Sequence, residues 1–432
     1  MAKIYIETYG CTLNQADSDI IKGILSGSGH VILDEESKAD IIIINTCTVK
    51  GATECKIMER LKRLGSGGKP IVIAGCMVVG HERIREVLPD AVLVWPSALE
   101  HIGKAILAAK KRQAKDFKEP KKKDYYMRIF TAPILRVPIG EGCKGNCHFC
   151  QTKLARPALK SYSKGTILEW ISRGVQRGAK EIQITAMDCG SYGMDNGSNL
   201  VELLESIVTM EGDFKVRLGM INPEHVKRMK DGLIKILNSK KMYKFMHMPV
   251  QSGSNKVCLE MNRDHSAGDF EQIAEELRKK VPGITIATDI IVGYPTETAD
   301  DFRQTVQMIG RLKPEITNLS KFSARPGTKA KEMMQLSSEE IKKRSVELSD
   351  LIRQVCKEDK ARYVGRALDI TITENKKDFT GITDNYKQVV LKDYQGKLGD
   401  RIKVKITEAN HSSLFGEIIK EGKTSDKDEG QQ

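Results

Sequence analysis

Three apolar runs in the first hundred residues run straight into a cysteine. IYIETYG (4–10) precedes Cys11, ADIIIINT (39–46) precedes Cys47, and GKPIVIAG (68–75) precedes Cys76. Helical stretches separate them, and a further run, AVLVW (91–95), follows. Continuous apolar strands alternating with helices predict a parallel sheet covered on both faces. In such sheets ligands gather at the carboxyl ends of the strands. Cys11, Cys47 and Cys76 are therefore candidates to converge. Taken alone, they fit buried structural thiols as well as they fit ligands.

The rest of the chain sets the context for those cysteines. At 432 residues it has room for two to four domains. No apolar run approaches the roughly 18 residues of a membrane span, and MAKIYIETYG has no apolar signal core. A cytoplasmic protein with no membrane partner is expected. In a reducing compartment, grouped cysteines more often mean metal or catalysis than disulfides. Lys and Arg number 70 against 57 Asp and Glu, a net charge of +13. That excess suits a polyanionic partner, and equally a merely soluble, lysine-rich surface.

Composition and periodicity divide the chain at three places. Residues 1–109 form the first α/β domain. Residues 110–128 carry nine Lys/Arg against three Asp/Glu and read as a basic linker or a solvated spacer. From 129 to 358 a strand–helix period of roughly forty residues appears, with strands at 134–140, 181–186, 214–221, 243–251, 284–293 and 315–323. Six such units are too few for a closed eight-stranded barrel, so an open partial (βα)6 barrel is expected. Five short strands between 368 and 420 predict a small OB-like all-β barrel over 360–421, either structural or oligonucleotide-binding. The polar tail 422–432 reads as disordered.

The strongest local signal is GCKGNCHFCQTK, in which Cys143, Cys147 and Cys150 form C-x3-C-x2-C just after the first barrel strand. One short loop can wrap three thiolates around three corners of a cubane [4Fe–4S] cluster, leaving one iron open. An open iron can chelate the amino and carboxylate groups of S-adenosylmethionine. Structural zinc is the competing assignment. It needs four closed ligands, and no second CxxC lies nearby; His148 would make an awkward fourth. Cys55, Cys189, Cys258 and Cys356 have no such spacing and are expected to be buried.

This motif on the first strand of a six-unit βα array resembles the radical S-adenosylmethionine superfamily. TYGCTLNQADSD (8–19), NTCTVKGATE (45–54) and AGCMVVGHERI (74–84) resemble the N-terminal domain of its methylthiotransferases. HMPVQSGSNKV (247–257), MNRDHSAGDF (261–270), TDIIVGYPTETADDF (288–302) and FSARPGTKA (322–330) resemble their barrel signatures, and the terminal segment looks like their RNA-binding TRAM domain. CTVKGATE and CHFCQTKLARPALKSY are most similar to the branch acting on N6-threonylcarbamoyladenosine in tRNA, in its archaeal type. Pro157 stands where that branch usually has glycine, and Asp264-His265-Ser266 replaces a commoner acidic-Tyr-Thr run.

The resemblance implies a second [4Fe–4S] cluster on Cys11, Cys47 and Cys76, with S-adenosylmethionine as both methyl donor and radical source. A methylthio group would go to C2 of adenosine 37, whose hydrogen is not acidic, so the cofactors carry the hard step. Cys143, Cys147 and Cys150 would serve cofactor cleavage, and the second triad would hold the sulfur. Thr185, Asp188, Arg217, Gln251, Ser252, Asp289 and Gly293 lie at or near strand ends and are candidate cofactor contacts, each otherwise an ordinary loop residue. Gly293 would let adenine approach closely. Arg325 to Thr328 would close the site edge, while His247 and His265 read as structural. Lys121, Lys122, Lys123, Lys397, Arg401, Lys403 and Lys405 would grip the tRNA anticodon arm. The chemistry also requires a reductase or a flavodoxin- or ferredoxin-type electron donor and a sulfur source. The competing assignments are a methylthiotransferase for isopentenyladenosine or for a ribosomal-protein aspartate, and a non-catalytic iron–sulfur RNA-binding protein.

Overall fold

The computed structural model describes residues 1–49, 51–118 and 130–419. The first domain is a six-stranded sheet built from β1 (Lys3–Thr8), β2 (Val31–Leu33), β3 (Ile41–Thr46), β4 (Ile71–Gly75), β5 (Val92–Val94) and β6 (Lys115–Phe117). Its order is β2-β1-β3-β4-β5-β6, and every pairing is parallel. All six residues of β3 are buried. Side chains alternate between faces along a strand, so Ile41 and Ile43 join one core while Ile42 and Ile44 join another, packed on Ile57 and Leu61. Burying each isoleucine contributes about 2 kcal/mol. That two-sided burial is why the run carries no polar alternation. The strand β6 corrects one expectation: Lys115–Phe117 lies in the stretch read as a linker, yet pairs with β5.

The central domain has strands β7 (Ile134–Pro138), β10 (Glu181–Thr185), β11 (Lys215–Leu218), β12 (Phe245–His247), β13 (Thr285–Val292) and β14 (Ile316–Lys321), with a short antiparallel ladder of β8 (Gly140–Glu141) and β9 (Lys160–Ser161) beside the cysteine loop. These form two parallel three-stranded sheets, β11-β10-β7 and β12-β13-β14. A single parallel bridge, Val216 to Met242, joins them. The result is the expected open, partial barrel of six βα units. Its core is continuous with one face of the first sheet, from Ile4 and Ile43 through Ile182 and Ile286 to Leu348.

The terminal domain is a closed five-stranded barrel of β15 (Ala367–Asn375), β16 (Phe379–Thr383), β17 (Gln388–Leu391), β18 (Arg401–Ala409) and β19 (Leu414–Ile418), in the order β15-β16-β17-β19-β18. Closure removes the exposed sheet edges that five short strands would otherwise present. The turn between β16 and β17 plugs the amino-terminal mouth of the central barrel. Lys244 N donates to the Asp384 carbonyl at 2.8 Å, Thr285 Oγ1 to the Asn385 carbonyl at 2.6 Å, and the Tyr386 hydroxyl to Glu181 at 2.8 Å. The Tyr386 ring packs on Tyr243 and Phe245. The cysteine loop lies at the opposite, carboxyl end of the same strands. No helix among the described residues is long and apolar enough to cross a membrane.

Candidate active site

The sheet order places the carboxyl ends of β1, β3 and β4 side by side, with Thr8 opposite Asn45 and Thr46 opposite Gly75. Cys47 and Cys76 follow β3 and β4 at once, and Cys11 follows the turn after β1. Neighbouring strands are about 4.8 Å apart, so the three thiols gather at one edge. The crowding is direct at Gly10, whose φ is +106°: a Cβ there would lie 2.8 Å from the Cys47 sulfur. Glycine is therefore required between the strand and Cys11. Asn14 ties the loops together by donating to the carbonyls of Tyr9 and Thr46.

The second triad lies in the loop after β7. Cys143 is buried, while Cys147 and Cys150 are partly exposed. The Gly145 amide donates to the Cys143 sulfur at 3.2 Å. The Cys150 amide donates to the Cys147 carbonyl at 3.1 Å, which fixes the C-x2-C turn. The His148 ring Nδ1 is engaged with the Glu260 carbonyl at 2.8 Å. The three sulfurs that each triad offers, with no oxygen or nitrogen ligand among them, suit the thiolate-bound iron of a cubane.

Burial pushes the Cys143 thiol up to about 12, with the nearby Asp188 charge acting in the same direction. Burial also lifts Cys76 to about 12 against the pull of Arg156, and raises Cys47 and Cys150. These thiols hold their protons until a metal displaces them.

The two triads face one another across the domain interface. Thr48, next to Cys47, is hydrogen-bonded to Gln151, next to Cys150. Arg156, in the loop beyond Gln151, is fully buried and pairs with Asp17 and Glu141, with Cys76 also within its reach. Arg325 pairs with Glu54 and donates to the Val49 carbonyl, which fastens the Arg325–Thr328 turn to the segment after Cys47. Arg156 is a link that the sequence does not disclose, because nothing local distinguishes it from any arginine after a loop.

The candidate cofactor contacts divide. Thr185 ends β10 and is buried. Asp188 is buried beside Cys143 and accepts from the Gly190 amide at 2.9 Å and Asn222 Nδ2 at 2.8 Å, with His225 Nε2 at 3.2 Å. Gln251 takes a positive φ of 75° after β12 and bridges to β13, and Ser252 is fully buried against Thr305. Asp289 holds His247 at 3.0 Å and Asn318 at 2.8 Å. Arg217 stacks on Phe245 and Tyr386 at the plug. At Gly293, whose φ is +78°, a Cβ would meet Ile341 at 2.5 Å, so a helix also approaches this glycine closely. His265 is held by Glu224 at 2.9 Å, as a structural histidine would be.

Of the basic candidates, Lys397, Lys403 and Lys405 are exposed, whereas Arg401 pairs with Asp213 at 2.5 Å. Lys121, Lys122 and Lys123 lie outside the described residues, as does the tail 422–432. Cys189, Cys258 and Cys356 are buried as expected, but Cys55 is exposed. It sits on the outer face of the helix Gly51–Gly65, whose inner face is Glu54, Ile57 and Leu61.

Comparison with known proteins agrees with this geometry. Residues 3–94 match the Uncharacterized protein family UPF0004, 137–309 the Radical SAM superfamily, and 361–419 the TRAM domain. A probable threonylcarbamoyladenosine tRNA methylthiotransferase of Archaeoglobus fulgidus is 39% identical over 97% of this chain and 99% of its own length. The chain belongs to the threonylcarbamoyladenosine tRNA methylthiotransferase family. A relative in Pyrococcus abyssi is 37% identical over 97% of this chain and all of its own, and one in Homo sapiens 32% over 98% and 75%. A radical S-adenosylmethionine methyltransferase of Kitasatospora setae shares the fold, with a TM-score of 0.51 at 12% identity over 77% of this chain and 75% of that one.

Proposed function

We propose that this chain adds a methylthio group to C2 of N6-threonylcarbamoyladenosine at position 37 of tRNA. The product is 2-methylthio-N6-threonylcarbamoyladenosine, and the setting is the cytoplasm. One observation supports this above others: two open cysteine triads face each other across an interface stapled at Thr48–Gln151 and at Arg156. Two [4Fe–4S] clusters and S-adenosylmethionine, when bound, supply the one-electron chemistry that an unactivated C–H bond needs. The chain supplies the rest. Cys143, Cys147 and Cys150 hold one cluster, and Cys11, Cys47 and Cys76 the other. Asp188, held by Asn222 and the Gly190 amide, presents a fixed carboxylate beside Cys143. Thr185, Gln251, Ser252 and Asp289 line the carboxyl rim, where cofactor contacts belong. Arg325 and Glu54 shut one edge against water. Lys397, Lys403 and Lys405 offer phosphate contacts outside the barrel.

The triads also divide the labour. Replacing Cys143 by alanine abolishes both S-adenosylmethionine cleavage and product, whereas replacing Cys47 spares cleavage and abolishes product. Equal loss of cleavage in both variants contradicts this. The reaction itself is tested by nucleoside mass spectrometry of tRNA with and without the gene. Disappearance of the methylthio nucleoside on deletion is expected. Its persistence, or loss of the isopentenyl counterpart instead, contradicts the reading.

A further inference from the structure

Four arginines among the described residues are almost wholly buried: Arg156, Arg263, Arg325 and Arg344. Three are neutralised by carboxylates, Arg156 by Asp17 and Glu141, Arg325 by Glu54, and Arg344 by Glu297. Arg263 forms no ion pair with any described carboxylate. Its Nη1 donates to the Cys147 sulfur at 3.2 Å. Its Nη2 donates to Asn222 Oδ1 at 2.5 Å and to the Pro249 carbonyl at 2.9 Å. Its Nε is buried without a partner among the described residues. The nearest acids are committed elsewhere: Glu224 to His265, and Asp188 to Asn222 and the Gly190 amide.

A guanidinium taken out of water needs a negative partner. The Cys147 sulfur is the acidic group that Arg263 touches directly, while Glu224 and Asp188 act on it only through space. We propose that Arg263 is a positioning residue that supplies the counter-charge for the Cys143/Cys147/Cys150 site and, through its N–H bond to the Cys147 sulfur, makes the cluster held there easier to reduce. This rests on the reading that the triad holds a cluster. Reduction adds negative charge, and both a fixed cation and a hydrogen bond to sulfur favour the more negative state. Asn222 extends the effect. It anchors the guanidinium and also donates to Asp188, so one chain of contacts spans Cys147 to the carboxylate beside Cys143. Arg156, by contrast, is paired with two carboxylates, Asp17 and Glu141.

The test is an electron-paramagnetic-resonance-monitored redox titration of full-length protein carrying Cys11, Cys47 and Cys76→Ala, so that one cluster reports. Parent protein in this background should hold about four irons per chain. Absence of iron there overturns the site reading itself, independently of Arg263. With iron present, Arg263→Met should move the midpoint to a more negative potential, and Arg263→Lys, which keeps the charge, should recover part of the shift. Should the methionine variant fail to keep iron, Arg263→Gln decides, since it removes the charge while keeping a polar amide. A midpoint in the iron-loaded Met or Gln variant equal to the parent's overturns the proposal.

Discussion

Arg156 shows how far one side chain can bind two domains. It comes from the barrel, its partners Asp17 and Glu141 come from the first domain and from β8, and the Asp17 pair is almost fully buried. Truncating one member of a buried pair leaves the other charge uncompensated, at a cost of about 3–5 kcal/mol. Arg156→Ala should lower the unfolding free energy measured in urea by that amount. A value within about 1 kcal/mol of the parent's would remove Arg156 from this role. The cysteines and the arginines are not equally legible. Cys143, Cys147 and Cys150 announce themselves because their spacing is local. The partner of Arg263 lies 116 positions away and that of Arg156 lies 139 away. No local pattern encodes such pairings.

Elements are fixed mainly by patterning and caps. The helix Ala299–Leu312 opens with a capping box in which Thr298 and Asp301 satisfy each other's backbone amides. Thr298→Ala should cost about 1 kcal/mol in thermal unfolding. Asp301 is buried, which alone would raise its carboxyl, yet hydrogen bonds from Ser254 and Thr298 and from Lys256 hold it down to about 2. Its folded value lies below the ordinary 3.8, so its contribution is present above that pH and lost as pH falls from 3.8 to about 2. Stability measured from about pH 5 down to about pH 2 should therefore fall more steeply in the parent than in Asp301→Asn, and parallel curves would refute the assignment. Long apolar runs make β3, β4 and β13 readable. The three-residue strand β6 is not, because Lys115-Asp116-Phe117 has no strand composition and is recruited by the backbone of β5.

At the scale of the whole molecule, the terminal barrel both closes the floor and extends the basic surface. Tyr386 joins Glu181, Tyr243 and Phe245 across the barrel mouth. Tyr386→Ala should free the terminal domain, seen as faster proteolytic release of a fragment that begins close to Arg362; unchanged digestion would show the plug to be dispensable. Deleting 360–432 outright would bare Tyr243 and Phe245, so substitution is the cleaner probe of RNA binding. Lys403 and Lys405 alternate with buried Val404 and Ile406 on β18 and face solvent. Changing both to alanine should weaken tRNA binding and reduce the salt slope by about one for each phosphate no longer neutralised. An unchanged slope would remove this strand from the interface. The three-domain order is legible in the sequence. The docking of the terminal turn is not, since it depends on Tyr386 meeting Glu181, 205 positions earlier. Everything proposed for the chemistry requires that the two facing triads each hold a cubane. The most direct measurement is iron and acid-labile sulfide per chain in anaerobically prepared protein. About eight of each are expected, whereas about four irons or fewer per chain, or zinc in their place, would contradict two clusters.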